Sequence, residues 1–271
     1  AWKSLAIKAL AAGGAILDQP RYLEAAERAA QFLLSKMTRD DGRLLHAFRR
    51  GHAHLDAYID DYAYTVEALI ALFEATGDAK WVHNAVDLAD QMLQHFQDGE
   101  AGGFFYTADD AEPLIARTKD WHDGSLVSGN ASAAMGLLKL SRLLDRDDYR
   151  TAAERTLIAG GEIMRTQSGA CGALLAALDR YWNDHPQVVL AVADSAMQRE
   201  LRASFLGVFR PHVTLSWVIG SAAGDSQIVS LNRDREVVDN QPTIYQCREF
   251  SCDRPLVGAD AEAWLEVRLA E

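Results

Sequence analysis

Apolar positions along this chain alternate between two textures: segments apolar on most sides, and segments with a single apolar stripe. Residues 3–17 carry Leu5, Ile7, Leu10, Ala11 and Ile16 around most of a helical wheel, which predicts a buried helix. Asp18-Gln19-Pro20 then turns the chain into a helix with Pro in its first turn. Tyr22, Ala26, Ala30, Leu33 and Met37 follow at three- and four-residue spacing with charges between them, so this helix should lie outside the first. The unit recurs in residues 60–76, the turn Gly77-Asp78, and residues 80–96 with Trp81, Ala85, Leu88 and Met92. It recurs again in residues 133–144, Asp145-Arg146-Asp147, and residues 148–164 with Tyr149, Ala153, Leu157 and Ile163. Tyr22, Trp81 and Tyr149 hold equivalent places, 59 and 68 residues apart.

A helical hairpin repeating every ~60 residues, one helix buried and one outside, is the pattern of an α/α toroid. Each outer helix is followed by an irregular stretch containing Gly: residues 41–58, 99–128 and 166–172. These stretches precede inner helices and so gather at their N-terminal ends, where backbone N–H groups and the helix dipole favour anionic or hydroxyl-rich ligands. Residues 170–182 predict one more apolar helix, and then the texture changes. Short apolar runs at 187–192, 213–218 and 228–231 read as buried strands, with helices at 195–206 and 259–269. The expected organisation is a mainly α hairpin region over residues 1–184 and a small α/β segment over 185–271.

Composition narrows the partners. A net charge of −12 without a basic stripe disfavours nucleic acid and suits a neutral small molecule. No run of about 18 apolar residues predicts a membrane span and no leader pattern opens the chain, so a cytoplasmic setting is expected. Three cysteines, Cys171, Cys247 and Cys252, fit a reducing compartment. The start at Ala1-Trp2-Lys3-Ser4, running straight into a helix, suggests a piece of a longer protein. Motifs for a hydrolase elbow, a P-loop or a dinucleotide fold are lacking, and no cofactor is expected.

Four motifs stand in order along the chain: Asp60-Asp61-Tyr62-Ala63; Gly102-Gly103-Phe104-Phe105-Tyr106-Thr107-Ala108-Asp109-Asp110; Arg117-x-Lys119-x3-Asp123-Gly124-x3-Ser128-Gly129-Asn130; and Tyr245-x-Cys247-x4-Cys252-x2-Pro255. In these the chain resembles the C-terminal part of the YyaL-type thioredoxin-domain proteins, relatives of the spermatogenesis-associated thioredoxin-like proteins. The resemblance implies an (α/α)6 toroid similar to N-acylglucosamine 2-epimerases, cellobiose epimerases and several glycosidases, preceded by a thioredoxin-like domain. It also implies a carbohydrate-type ligand. The chain departs from that pattern in lacking the thioredoxin-like domain and the early hairpins, leaving about half a toroid. Val127 also stands where the family usually has Pro. The absent domain and hairpins are expected partners, and an open half-toroid is expected to self-associate.

Candidate chemistry centres on the rim. Asp60, Tyr64 and Glu67 share one helix face, and two carboxylates with a phenol could exchange protons with a sugar. Asp60 and Asp61 also suit a plain helix start, as cap and first-turn acid. Asp60, Glu67 and Asp123 are the candidate catalytic groups. Asp61, Tyr64, Phe105, Tyr106, Lys119, Trp121, His122, Ser128 and Asn130 are candidate binding groups, aromatic faces stacking on a ring and polar groups bonding its hydroxyls. Their structural alternatives are caps and a turn for Ser128, Asn130 and Asp123-Gly124, and core plugs for the aromatics. His46, His52 and His54 have no acidic or Cys partner at metal-binding spacing except Asp56, and Cys247-x4-Cys252 offers two ligands where zinc needs four and lacks the redox C-x2-C spacing. No metal is expected, and the two cysteines are expected to pack or to pair with the absent domain; a redox role is the other reading, and it requires the two sulfurs close enough to bridge, with Cα atoms within about 7 Å.

Overall fold

The computed structural model describes residues 1–112, 115–183, 185–208, 210–220 and 228–267. Hairpins set the frame: α1 (Trp2–Ile16) packs on α2 (Pro20–Lys36), α3 (Ile59–Thr76) on α4 (Lys80–Phe96), and α5 (Gly129–Leu144) on α6 (Asp147–Ala159). Beyond α6 a short α7 (Gly161–Thr166) leads to α8 (Gly172–Trp182), and α1, α3, α5 and α8 stand side by side as the inner row. The fold is mainly α, an arc of α/α toroid amounting to about half of a six-hairpin barrel. Because α3 is flanked by α1 and α5 and backed by α4, it is buried around almost its whole circumference. Outer helices keep a single buried stripe, as Trp81, Ala85, Leu88 and Met92 show on α4.

Several local expectations are corrected. Having no inner helix on its other side among the described residues, α1 is one-sided and leaves Trp2 and Ile16 exposed. The single helix expected over 148–164 breaks at Gly160, where the chain comes so close to α8 that a β-carbon would stand 2.5 Å from Leu174 Cδ2. The start of α5 is Gly129 rather than 133, because Ser128 caps it, and α8 begins at Gly172 after a 3₁₀ turn at Ser168–Ala170. Residues 41–58 are not wholly irregular: they hold the antiparallel hairpin β1 (Leu45–Arg49) and β2 (His52–Asp56). Its turn, Arg50-Gly51, has positive φ at both residues, which matches the twist of a two-residue hairpin loop.

The C-terminal part is a mixed sheet. β3 (Gln187–Val192) runs parallel to β4 (Thr214–Ile219) through the crossover helix α9 (Ser195–Leu206), and antiparallel to β5 (Thr243–Arg248). β6 (Ser251–Cys252) and β7 (Leu256–Val257) pair with β5, and α10 (Ala259–Val267) closes the chain; residues 268 and 269 of the expected helix lie outside the described residues. No strand forms at 228–231. Val229 and Leu231 are core plugs around a 3₁₀ turn, Ser230–Asn232, whose Ser230 Oγ donates to Leu144 O at the end of α5. Side chains alternate across the sheet: Val189, Ala191 and Val218 face the toroid core, while Val188, Leu190 and Trp217 pack with α9 and α10. The sheet thus sits beneath the C-terminal ends of α3 and α5, leaving their N-terminal ends to the long loops.

Pairing of the cysteines with the absent domain is corrected, while the closeness that a redox role requires is met. Cys247 and Cys252 stand opposite each other on β5 and β6 and form a disulfide with one another, because a two-residue turn at Glu249-Phe250 folds the strands face to face. Cys171 is a buried thiol. No helix among the described residues is long and apolar enough to cross a membrane.

Candidate functional site

The N-terminal ends of α3, α5 and α8 are tied together by the loop of residues 97–128. Ile59 N–H donates to Tyr106 O at the start of α3, and Asp123 N–H donates to Ala170 O before α8. Within this rim the polar side chains fall into two groups, those fully engaged by the fold and those left facing one another.

Asp60 is the principal member of the second group. It is half-buried and makes no hydrogen bond or ion pair among the described residues. Its carboxylate lies against the first turn of α5, close enough that a β-carbon on Gly129 would collide with Oδ1. Burial first, then the negative charges of Asp61 and Asp120, push its pKa up to about 6, against a smaller opposing effect from the N-terminal amino group and His46. One turn along α3, the Tyr64 phenol donates to Val127 O. Burial raises its pKa, and the carboxylates of Asp60, Glu67, Asp120 and Asp123 raise it further. Tyr106 stacks on Tyr58 with ring centroids 4.8 Å apart. Its phenol is pushed up to about 12 by burial and then by Asp60 and Asp61. Both phenols therefore stay protonated donors at neutral pH. Asp120 acts on Asp60, Tyr64 and Tyr106 alike, yet the sequence did not single it out. Only the path of its loop distinguishes it from the other acids of that stretch.

The remaining predicted residues are committed to structure. Asp61 closes a capping box on α3, accepting from Tyr58 N–H at 3.0 Å, and also holds His46 Nδ1 at 2.8 Å. Glu67 faces inward, accepting from Ser132 Oγ and from Lys8 Nζ. Asp123 is a strut: one oxygen accepts from Ser128 N–H (2.9 Å) and the other from Ala173 N–H (2.8 Å), joining the starts of α5 and α8. Ser128 caps α5 through Ala131 N–H. Asn130 clamps the loop by pairing with both N–H and O of Phe104 (2.7 and 2.9 Å) and with Asp120 O. Lys119 Nζ bonds Asp98 Oδ2 (2.7 Å) and Gly102 O (2.6 Å). That ion pair, followed by the N–H groups of Ala101 and Glu100, holds the Asp98 carboxyl down at about 2.

The aromatics divide similarly. Phe105 lies beneath two cations, Arg117 at 4.2 Å and Lys119 at 5.0 Å from its ring centroid. Trp121 is wedged between the backbones of Gly103 and Gly160, each glycine leaving room that a β-carbon would fill. His122 is exposed, with Nε2 3.3 Å from Gln167 Oε1. His46, His52 and His54 do not converge, since His46 turns to Asp61 while His54 Nδ1 lies 3.5 Å from His52 O.

An arc of helical hairpins, with acids and phenols gathered at the N-terminal rim, defines the structural class. No family model matches the chain. Human spermatogenesis-associated protein 20 is 28% identical over 94% of this chain and 34% of its own length. An uncharacterised protein of Caenorhabditis elegans is 26% identical over 94% of this chain and 36% of its own. These relatives bear out the family resemblance read from the motifs. The chain spans about a third of the length of the curated relatives it matches. Among solved structures, the cellobiose 2-epimerase of Bacillus thermoamylovorans is similar, with a TM-score of 0.48 and 15% identity, over 57% of this chain and 42% of its own.

Proposed function

We propose that the rim forms one wall of a site for a neutral, hydroxyl-rich small molecule of the carbohydrate class, and that Asp60 exchanges a proton with it. The observation that supports this is Asp60 itself: a half-buried carboxylate without a partner among the described residues, titrating near pH 6. A group whose pKa lies near the working pH is suited to act as a general base. Tyr106 supplies a protonated donor nearby, Tyr64 has its own proton engaged by Val127 O, and Asp120 supplies a further carboxylate. Epimerisation beside a carbonyl is the reaction class this set fits best, with Asp60 removing the proton and a second group returning it. In this reading Glu67 and Asp123 shape the site, since both are already bonded within the fold.

A second reading, a non-catalytic binding module of a longer thioredoxin-domain protein, draws on the bonding of Glu67 to Lys8 and Ser132. Both readings meet one experiment: a thermal-shift screen against neutral mono- and disaccharides, using the wild type, Asp60→Asn and Asp120→Asn. The expected result is a ligand that raises Tm in the wild type and less in the variants; saturation at about 100 Kd corresponds to ~2.7 kcal/mol. Deuterium uptake from solvent into that ligand, rising with pH through about 6 and absent in Asp60→Asn, supports the catalytic reading. Binding without exchange supports the module. A well-folded protein with no response to any sugar overturns the catalytic reading and favours the module, whose ligand would then be a protein or another small molecule.

A further inference from the structure

Parallel strands place equivalent positions side by side, and this brings together two histidines far apart in sequence. Gln187 of β3 pairs with Thr214 of β4, so His185 and His212, each two residues earlier, enter the sheet as neighbours. Their rings lie 4.4 Å apart at an interplanar angle of 16°. Asp179, on the last turns of α8, reaches between them: Oδ2 is 3.2 Å from His212 Nδ1 and 3.6 Å from His185 Nε2. The three ligand atoms all lie within 4.8 Å of one another.

We infer that Asp179, His185 and His212 form a site for a divalent transition-metal ion of the zinc type, stapling the end of α8 to the entry of the two parallel strands. The chemistry of the donor set fits, as two imidazoles and one carboxylate suit zinc and its neighbours rather than magnesium or calcium. The spacing fits as well: tetrahedral bonds of about 2.0–2.1 Å place ligand atoms ~3.3 Å apart, and two of the three separations are already near that value. The neighbouring bonds orient the ligands. Asn183 Nδ2 donates to the other oxygen of Asp179 at 2.7 Å, and Arg180 turns away to Pro211 O and Thr214 Oγ1. His212 is exposed, which gives the ion a way in and leaves a coordination position for water. Among the histidines, only His46, His52 and His54 stood out in the sequence as metal candidates, because nothing in spacing alone aligns residues 185 and 212.

The test uses the untagged chain stripped with EDTA and titrated with Zn²⁺ and with Co²⁺. One equivalent should bind with a rise in Tm, and Co²⁺ should give visible ligand-field absorption. His212→Ala and Asp179→Asn should each weaken binding more than about tenfold. In EDTA His212→Ala should melt with the wild type, since the residue is exposed. Asp109→Asn, in the separate cluster of His95, Asp109 and Asp110, should leave binding unchanged. Absence of saturable binding, or Zn²⁺ affinity unaltered in His212→Ala, overturns the assignment. In that event His185 serves only as a cap on the Asp179 carbonyl, 3.2 Å from Nε2.

Discussion

Asp60 places a measurable burden on the fold. Its carboxyl titrates at about 6 in the folded chain, against 3.8 when unperturbed. Between those values the folded state holds a proton that the unfolded chain has released, so stability falls as pH rises through this window. Above about 6 the whole penalty is present. Asp60→Asn removes it, and the variant should be more stable than the wild type by on the order of 1–3 kcal/mol at pH 7.5, with most of the advantage gone by pH 4. Urea midpoints at the two pH values check this; a variant less stable at pH 7.5 would mean that the carboxylate has a favourable partner. At this scale the sequence was half legible. Asp60 and Asp61 both read as acids at a helix start, but adjacent residues point about 100° apart on a helix, and only one of the two finds the capping geometry. Nothing local to Asp123 distinguishes a strut from a reacting group, because its partner Ala173 lies 50 residues away.

At the scale of elements, the rim loop depends on Asn130 at the start of α5. Its amide answers both the N–H and the O of Phe104, a residue with no exposed surface. Asn130→Ala leaves a buried N–H unsatisfied and should cost on the order of 2–3 kcal/mol. The loss should concentrate in residues 97–128, where limited proteolysis would show faster cutting while α3 and α4 stay protected. Equal proteolysis in variant and wild type would mean that the loop is held chiefly by Lys119 and its ion pair with Asp98. The inner and outer helices were legible because periodicity of 3.6 reports which face is buried, and burial is what forms them. Less legible were the β1 and β2 hairpin and the break at Gly160. The hairpin is exposed on most of its surface, so polar positions mask its strand pattern. The break is imposed by the approach of Leu174 and Trp121 from distant parts of the chain.

At the scale of the molecule, the C-terminal part completes the hydrogen bonding of the helical arc. A helix leaves its last four carbonyls without intrahelical partners. On α3 the Phe73 carbonyl accepts from Gly77 N–H, at a left-handed glycine that ends the helix. The next three are answered from the C-terminal part: Glu74 O by Trp217 Nε1 at 2.8 Å, Ala75 O by Arg202 at 3.2 Å, and Thr76 O by Gln198 at 2.7 Å. The most buried helix of the arc is therefore finished by side chains more than 120 residues away, a dependence invisible to any local pattern. Gln198→Ala together with Trp217→Phe removes two of these donors while keeping an aromatic ring in the sheet. The pair should cost on the order of 2–4 kcal/mol, since two buried carbonyls lose their partners. Hydrogen exchange distinguishes the consequences. If the parts unfold together, amide protection should fall alike in α3 and in β3 and β4. Loss of protection confined to the sheet, with α3 unchanged, would show that the arc stands without it.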